Sequence, residues 1–119
     1  MIAVIFEVTP KAERRDDYFE AAAALAAELE QADGFLSIER FESVSTPGKF
    51  VSLSFWRDED AVAAWRNRRG HRGAQAAGRR EIFQDYRLRV ARVLRDYGLT
   101  ERDQAPDDSR AVHGDEEGL

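Results

Sequence analysis

The chain has 119 residues, no cysteine and a formal net charge of −5. That length fits one domain, and the lack of cysteine excludes disulfides, thiolate-bound metals and a thiol nucleophile. Residues 1–100 hold 16 acidic and 16 basic residues, so the whole net charge comes from the last 19. An acidic chain without a recognition motif predicts no nucleic-acid binding, and no apolar run reaches the ~20 residues that span a bilayer. Met1–Val8 lacks the basic lead of a signal peptide, so we expect a cytoplasmic protein with no membrane partner.

The first two predicted elements are a strand and a helix. Ile2–Val8 alternates and is rich in β-branched residues, which is typical of a strand. From about Ala12 to Asp33 the apolar period changes to that of a helix, and Gly34 is placed to end it. The predicted apolar face of this helix comprises Tyr18, Ala22, Leu25, Leu29 and Ala32.

A hairpin follows, with strands at 35–44 and Phe50–Trp56 around the turn Thr46–Lys49. The two faces of its second strand differ. The purely apolar face is expected to pack on the helices, and the face that mixes aromatics with hydroxyls is expected to line a pocket or a subunit interface. The first face comprises Val51, Leu53 and Phe55, and the second comprises Phe50, Ser52, Ser54 and Trp56.

Three acids at 58–60 favour the start of a second helix. We expect this helix to reach about Arg80, with a break or kink at Gly70 or Gly73. A long fourth strand is predicted from Ile82 to about Leu94, and a change of phase near 90–92 indicates a β-bulge there. The predicted domain is 1–99, and 100–119 is expected to be an acidic, disordered tail.

The element order β-α-β-β-α-β predicts an α+β, ferredoxin-like fold, with one antiparallel sheet and both helices on one face. The other face is then open, and we assign to it Trp56, Phe35, Phe41 and Ile5. An open apolar face needs a cover, and the simplest cover is the sheet of a second copy. We therefore expect a homodimer in the form of a dimeric α/β barrel.

The sequence resembles the antibiotic biosynthesis monooxygenase family. The residues that carry the resemblance are Phe55–Ala61, Trp65, Gly70–Arg72 with Ala74 and Gln75, Tyr86–Val90, and Asp96–Gly98. The resemblance implies a homodimeric barrel with a pocket between the sheet and helix two. It also implies oxidation of phenolic substrates by molecular oxygen without a cofactor, with the substrate's own anion reducing the oxygen.

The heme-degrading relatives place an asparagine at the end of strand one, a tryptophan on helix two and a histidine ten residues later. Here Trp65 matches the tryptophan, whereas Gln75 stands at the histidine position and Glu7 approximately at the asparagine position. The departures favour a protein without heme, and His71 would replace the ligand only if helix two is broken. No other metal site is expected, because the two histidines are 42 positions apart.

The predicted function is therefore a small monooxygenase that uses molecular oxygen on an aromatic or polyketide-like substrate, with no cofactor. Two alternatives remain open. One is a non-catalytic or stress-related dimeric module that binds a small organic molecule, and the other is a divergent heme-degrading monooxygenase.

The candidate catalytic residues are His71, Trp65 and Glu7. His71 is either a base near neutral pH or a surface residue, and Trp65 is either a pocket wall or an anchor of helix two. Glu7, like Glu39, is either a buried base with a raised pKa or the partner of an arginine across the dimer.

The candidate substrate-pocket residues are Trp56, Ser52, Ser54, Glu39, Phe83, Tyr86 and Arg89. Trp56 fits a pocket wall or a dimer contact equally well. Residues 66–95 contain ten arginines, which indicate either an anion-binding patch or solvated faces that pair with acids elsewhere.

Overall fold

The computed structural model describes residues 1–68 and 81–113. Its elements follow the predicted order and end in one additional helix. The bounds are β1 (Ile2–Pro10), a 3₁₀ turn (Ala12–Arg14), α1 (Arg15–Glu30), β2 (Phe35–Glu42), β3 (Phe50–Trp56), α2 (Glu59–Arg66), β4 (Phe83–Arg92) and α3 (Asp107–His113). No helix among these residues is long and apolar enough to cross a membrane.

The four strands form one antiparallel sheet in the order β2-β3-β1-β4. The two helices that follow β1 and β3 pack on the same face of this sheet, because Leu29 of α1 and Trp65 of α2 belong to one core cluster with Trp56. This arrangement is the ferredoxin-like α+β fold, and the prediction of the fold class is confirmed.

The assignment of the two faces of β3 was wrong. The helices cover the face that bears Phe50, Ser54 and Trp56, which are all buried. Leu53 is on the opposite face, in register with Ile5 of β1. Alternation separates the two faces of a strand but does not say which one is covered. In this chain α2 covers Trp56, and the serines beside it face a cavity.

Phe35 is a second correction to the predicted open face. It is partly buried against the helix-side cluster, and its ring centroid is 5.4 Å from that of Trp56 in an edge-to-face contact. The register of β2 on β3 shifts between Phe35 and Ser37, so Phe35 faces the helices although the later odd-numbered residues do not. Of the four residues assigned to the open face, Ile5 and Phe41 are there.

The predicted β-bulge at 90–92 is absent. Val90, Ala91 and Arg92 pair in unbroken register with β1, and the register instead shifts at Thr9/Pro10, at the start of β4. Proline cannot donate to the ladder, which explains an irregularity at Pro10. The apparent change of phase reflects only an arginine at a position that follows the apolar phase, with no extra residue in the strand.

Helix α2 begins as predicted. The Asp58 side chain accepts a hydrogen bond from the backbone N–H of Ala61 at 2.9 Å, so Asp58 is the N-cap. This bond and the neighbouring Arg57 guanidinium hold the pKa of Asp58 below its usual value. The predicted continuation to Arg80, and its break at Gly70 or Gly73, lies outside the described residues.

The segment after β4 differs from the predicted disordered tail. It contains α3, and Arg102 and Ala105 are buried. Arg102 donates to the carbonyl of Gly98 at 3.0 Å, and its guanidinium lies 5.4 Å from the centre of the Tyr97 ring. A cation–π contact and local hydrogen bonds hold this segment, and a prediction based on its low apolar content could not detect them.

We predict a difference between two glycines that both have positive φ. Gly34 (φ +83°) closely approaches α2, and a Cβ there would lie 2.5 Å from the Cβ of Ala61, whereas a Cβ at Gly48 (φ +87°) would contact nothing. Gly48→Ala adds only backbone strain of roughly 1–2 kcal/mol. Gly34→Ala adds a clash as well, and we expect it to lower the free energy of unfolding by about 2–4 kcal/mol. Urea denaturation of the two variants measures this difference, and equal losses would contradict the close approach.

Candidate functional site

The helix-covered face of the sheet carries two separate core clusters. One surrounds Trp56 and Trp65, and the other surrounds Val8 and Tyr18. Val4 and Phe6 lie between these clusters along β1 and line a cavity of about 330 Å³. Its volume is at the lower end of the range for small-molecule sites.

Short side chains on both sides produce the cavity. Ala21 and Ala22 of α1 and Ser52 and Ser54 of β3 all line it. Larger residues at these positions would fill the space between the two clusters, as they do in ordinary cores. The alanine run that favours the helix also leaves the room above the sheet.

Ser54 is a buried polar group in this wall. It is 6% exposed, and its Oγ accepts a hydrogen bond from Trp56 Nε1 at 2.9 Å. The bond fixes the indole and uses the serine as an acceptor, so the hydroxyl proton remains for a second partner. Ser52, one step along the same face, is half-buried.

Tyr18 adds a phenolic hydroxyl to the lining. The residue is 5% exposed, and its hydroxyl oxygen is buried without a hydrogen-bond partner of normal geometry among the described residues. Burial raises the pKa of Tyr18, and the positive charge of Arg40 opposes that rise. The phenol is therefore protonated at neutral pH and is a potential donor.

Two arginines, Arg40 of β2 and Arg66 of α2, also line the cavity. Within residues 1–68 and 81–113, no carboxylate lies within ion-pair distance of either guanidinium. The described part of the lining contains no carboxylate and no histidine. The cavity is thus apolar, with hydroxyl donors and a positive potential.

Six of the predicted site residues line the cavity. Trp65 is 7% exposed and belongs to the adjoining core, so it is both a wall and an anchor of α2. Trp56 is 2% exposed within a single chain, which supports a wall and not a dimer contact. The six are Trp65, Trp56, Ser52, Ser54, Phe83 and Tyr86.

The other predicted residues are not in the described lining. Glu7 lies on the opposite face of the sheet, where its carboxylate accepts a hydrogen bond from Arg89 at 2.6 Å and lies 3.5 Å from Lys49 Nζ. These cations hold the pKa of Glu7 below its usual value, the reverse of what a base in the cavity needs. The pairing with arginine is therefore present, but within one chain. Glu39 shares that face in register with Leu53, and His71 lies outside the described residues.

Sequence reasoning missed the polar roles of Tyr18 and Arg40. Tyr18 was correctly placed on the sheet-facing side of α1, and its hydroxyl on a face otherwise made of alanine and leucine was the available signal. Arg40 has the same strand phase as Ile38, which also lines the cavity. Since residues two apart on a strand lie on the same face, Arg40 indicated a positively charged group on the helix-covered face that bears Ile38.

This arrangement can hold a small apolar molecule, donate hydrogen bonds to it and stabilise negative charge on it. Four hydroxyl-bearing residues line the same space, namely Tyr18, Ser52, Ser54 and Tyr86. No group of three or more metal-ligating side chains occurs in the part of the chain that the structure describes.

The fold and cavity define a class of small ferredoxin-like proteins with a ligand-sized space between the sheet and its helices. The family model for antibiotic biosynthesis monooxygenases matches residues 1–77. The chain belongs to this family, and the predicted resemblance is confirmed.

Two relatives illustrate the similarity in sequence. Jasmonate monooxygenase ABM of Pyricularia oryzae is 45% identical over 93 residues, which cover 78% of this chain and 43% of that protein. The uncharacterized protein YqjZ of Bacillus subtilis is 32% identical over 93 residues, which cover 78% of this chain and 79% of that protein. The chain thus matches less than half of the length of the first relative.

Solved structures agree on the fold. Rv0793 of Mycobacterium tuberculosis superimposes with a TM-score of 0.73 at 20% identity, covering 82% of this chain and 98% of that one. A protein from Deinococcus radiodurans gives a TM-score of 0.72 at 19% identity, covering 84% of this chain and 99% of that one.

Proposed function

We propose that the protein is a monooxygenase that oxidises a small organic molecule held in the cavity between the sheet and α1. The observation that carries this proposal is the cavity of about 330 Å³, which is lined by tryptophans, serines and a buried tyrosine. Family membership supports it, as does the 45% identity to a relative named as a jasmonate monooxygenase.

The residues support a reaction in which the substrate supplies the electrons. Arg40 and Arg66 would favour an anionic form of the substrate by their charge, and the apolar wall would exclude water. A phenol that loses two hydrogens and gains one atom of dioxygen gives a quinone and water, so this reaction balances without another reductant. The hydroxyl of Ser54, whose proton is not used by Trp56, would donate to an oxygen atom on which negative charge develops.

The test is a screen of phenols for turnover with the purified, heme-free protein, with and without dioxygen and with and without added heme. We expect product and oxygen consumption in equal amounts, no product without oxygen and no dependence on heme. Binding without oxygen consumption would instead identify a binding module, and activity that requires heme would identify a heme-dependent enzyme.

A pair of variants connects turnover with the cavity. Ala22 lines the cavity, whereas its neighbour Ala23 is exposed on the same helix. Ala22→Phe puts a ring into the substrate space, so we expect turnover to fall at least about 100-fold, which is equivalent to about 2.7 kcal/mol of transition-state stabilisation. Ala23→Phe makes the same chemical change on the solvent side and should retain full activity. Full activity in Ala22→Phe would place the reaction elsewhere.

We also propose a homodimer formed by the open face of the sheet. Ile5 and Leu53 are paired on its central strands, and Phe41 is paired with Val51 beside them. Phe41 remains 48% exposed in the single chain. The ion pair of Glu7 with Arg89 compensates its own charges within this face, so a second sheet could cover it without leaving those charges unpaired.

A further inference from the structure

We propose that the substrate is an apolar phenol that also bears a carboxylate, and that this carboxylate binds to Arg40 and the Tyr18 hydroxyl. This assignment rests on the proposed function, because it treats the cavity as the substrate site. It adds a substrate class and a residue that determines charge selectivity.

The buried hydroxyl of Tyr18 is the first observation. A buried phenol without a hydrogen-bond partner costs stability, and this one lines an open space instead of a filled core. A ligand acceptor would satisfy it. An ionised carboxylate is a stronger acceptor for a phenol than a carbonyl or ether oxygen.

The unpaired charge of Arg40 is the second observation. Arg40 and Tyr18 both line the cavity, and the positive charge of Arg40 opposes the rise that burial causes in the pKa of Tyr18. Glu42 has the same strand phase two residues further along, but it is engaged by Arg15 at 3.5 Å and by the backbone N–H of Gly48 at 3.1 Å. No described carboxylate is left to compensate Arg40, and the planar guanidinium fits a ligand carboxylate.

The position of this pair gives the orientation of the ligand. Arg40 is exposed on the edge strand β2, next to Ser52 of β3 in the register. An apolar part of the lining, which includes Val4, Leu25 and Trp56, lies further along the covered face, and the second arginine, Arg66, is on α2. The carboxylate would therefore stay at the β2 edge, and the apolar body would extend between α1 and the sheet.

The experiment compares decanoic acid with its methyl ester as probes, under anaerobic conditions and without turnover. Both tryptophans of the chain line the cavity, so their fluorescence reports binding. We expect wild type to bind the acid about 10- to 100-fold more tightly than the ester, as one charge-assisted contact implies. Arg40→Gln should remove this preference and leave ester binding unchanged, whereas Arg95→Gln, which removes an exposed charge outside the cavity lining, should retain it.

Tyr18→Phe separates binding from folding. The variant removes an unsatisfied buried hydroxyl, so its thermal midpoint should be equal to or above that of wild type, while acid binding weakens about 10-fold.

Equal affinity of wild type for acid and ester, or equal loss of affinity for both ligands in Arg40→Gln, would overturn the inference. If the acid preference holds but no oxygen-dependent product forms, the proposed function fails alone. If neutral phenols turn over without any acid preference, the inference fails alone.

Discussion

Leu53→Asp is expected to convert a dimer of twice the 13.5 kDa chain mass into a monomer at micromolar concentration. Leu53 lies on the open face of the sheet on the inner strand β3. A two-fold interface would bury the new carboxylate twice and without a partner. Each such burial costs several kcal/mol, and the cost counts twice in a two-fold interface. Light scattering coupled to size exclusion measures the mass.

Val44→Asp is the matched control. Val44 is 99% exposed after β2, so the same charge is added away from the sheet face and the dimer should persist. Circular dichroism should show that Leu53→Asp retains its secondary structure. A dimer in Leu53→Asp, or a monomer in wild type, would refute an interface on this face.

Trp56→Ala is expected to lower the free energy of unfolding by about 3–5 kcal/mol, the usual cost of removing a buried aromatic side chain. Trp56 is 2% exposed, contacts Phe35 and Trp65, and donates its indole hydrogen to Ser54. Its removal would enlarge the existing cavity and expose the end of β3 to solvent. Urea denaturation at one fixed protein concentration measures the loss, because the proposed dimer would make stability depend on concentration.

Leu94→Ala is a control for the loss of an apolar side chain outside the core. Leu94 is 79% exposed, so this change should stay within about 0.5 kcal/mol of wild type. Trp56→Phe should lie between the two, since it retains a ring but loses the hydrogen bond to Ser54. A loss below about 1 kcal/mol in Trp56→Ala would mean that the cluster around Trp56 and Trp65 does not depend on this residue.

The fold class could be predicted because strand alternation, turns and helix caps each depend on a few neighbouring residues. The strand Phe50–Trp56 has the bounds predicted from its alternation. Helix α1, by contrast, ends earlier than predicted, at Glu30 with Gln31 as its C-cap, so Gly34 with its positive φ lies in the turn before β2 and does not end the helix. Asp58 caps α2, where three successive acids indicated a helix start. Each of these features depends on a few adjacent residues.

The candidate site could be predicted only in part, because it depends on which face of the sheet is covered. The sequence showed that Ser52, Ser54 and Trp56 share one face of β3. That this face lies against the helices depends on how the whole chain folds. Glu7 could be either a base or the partner of an arginine, and the structure pairs it with Arg89, two residues from its register partner Arg87 on β4. Such pairings join residues that are far apart in sequence, and no periodicity encodes them.

The features that would select the length and the head group of a ligand lie on two different elements of the cavity wall, α1 and β2. Ala21 and Ala22 on α1 leave room for the body of the ligand, whereas the proposed carboxylate contact is on Arg40 of β2. A single substitution on the helix can therefore alter the accepted chain length while the head-group preference persists, and a single substitution on the strand can do the reverse. Related proteins could therefore change either the length or the head group of the ligand that they accept, while each intermediate sequence still binds a ligand.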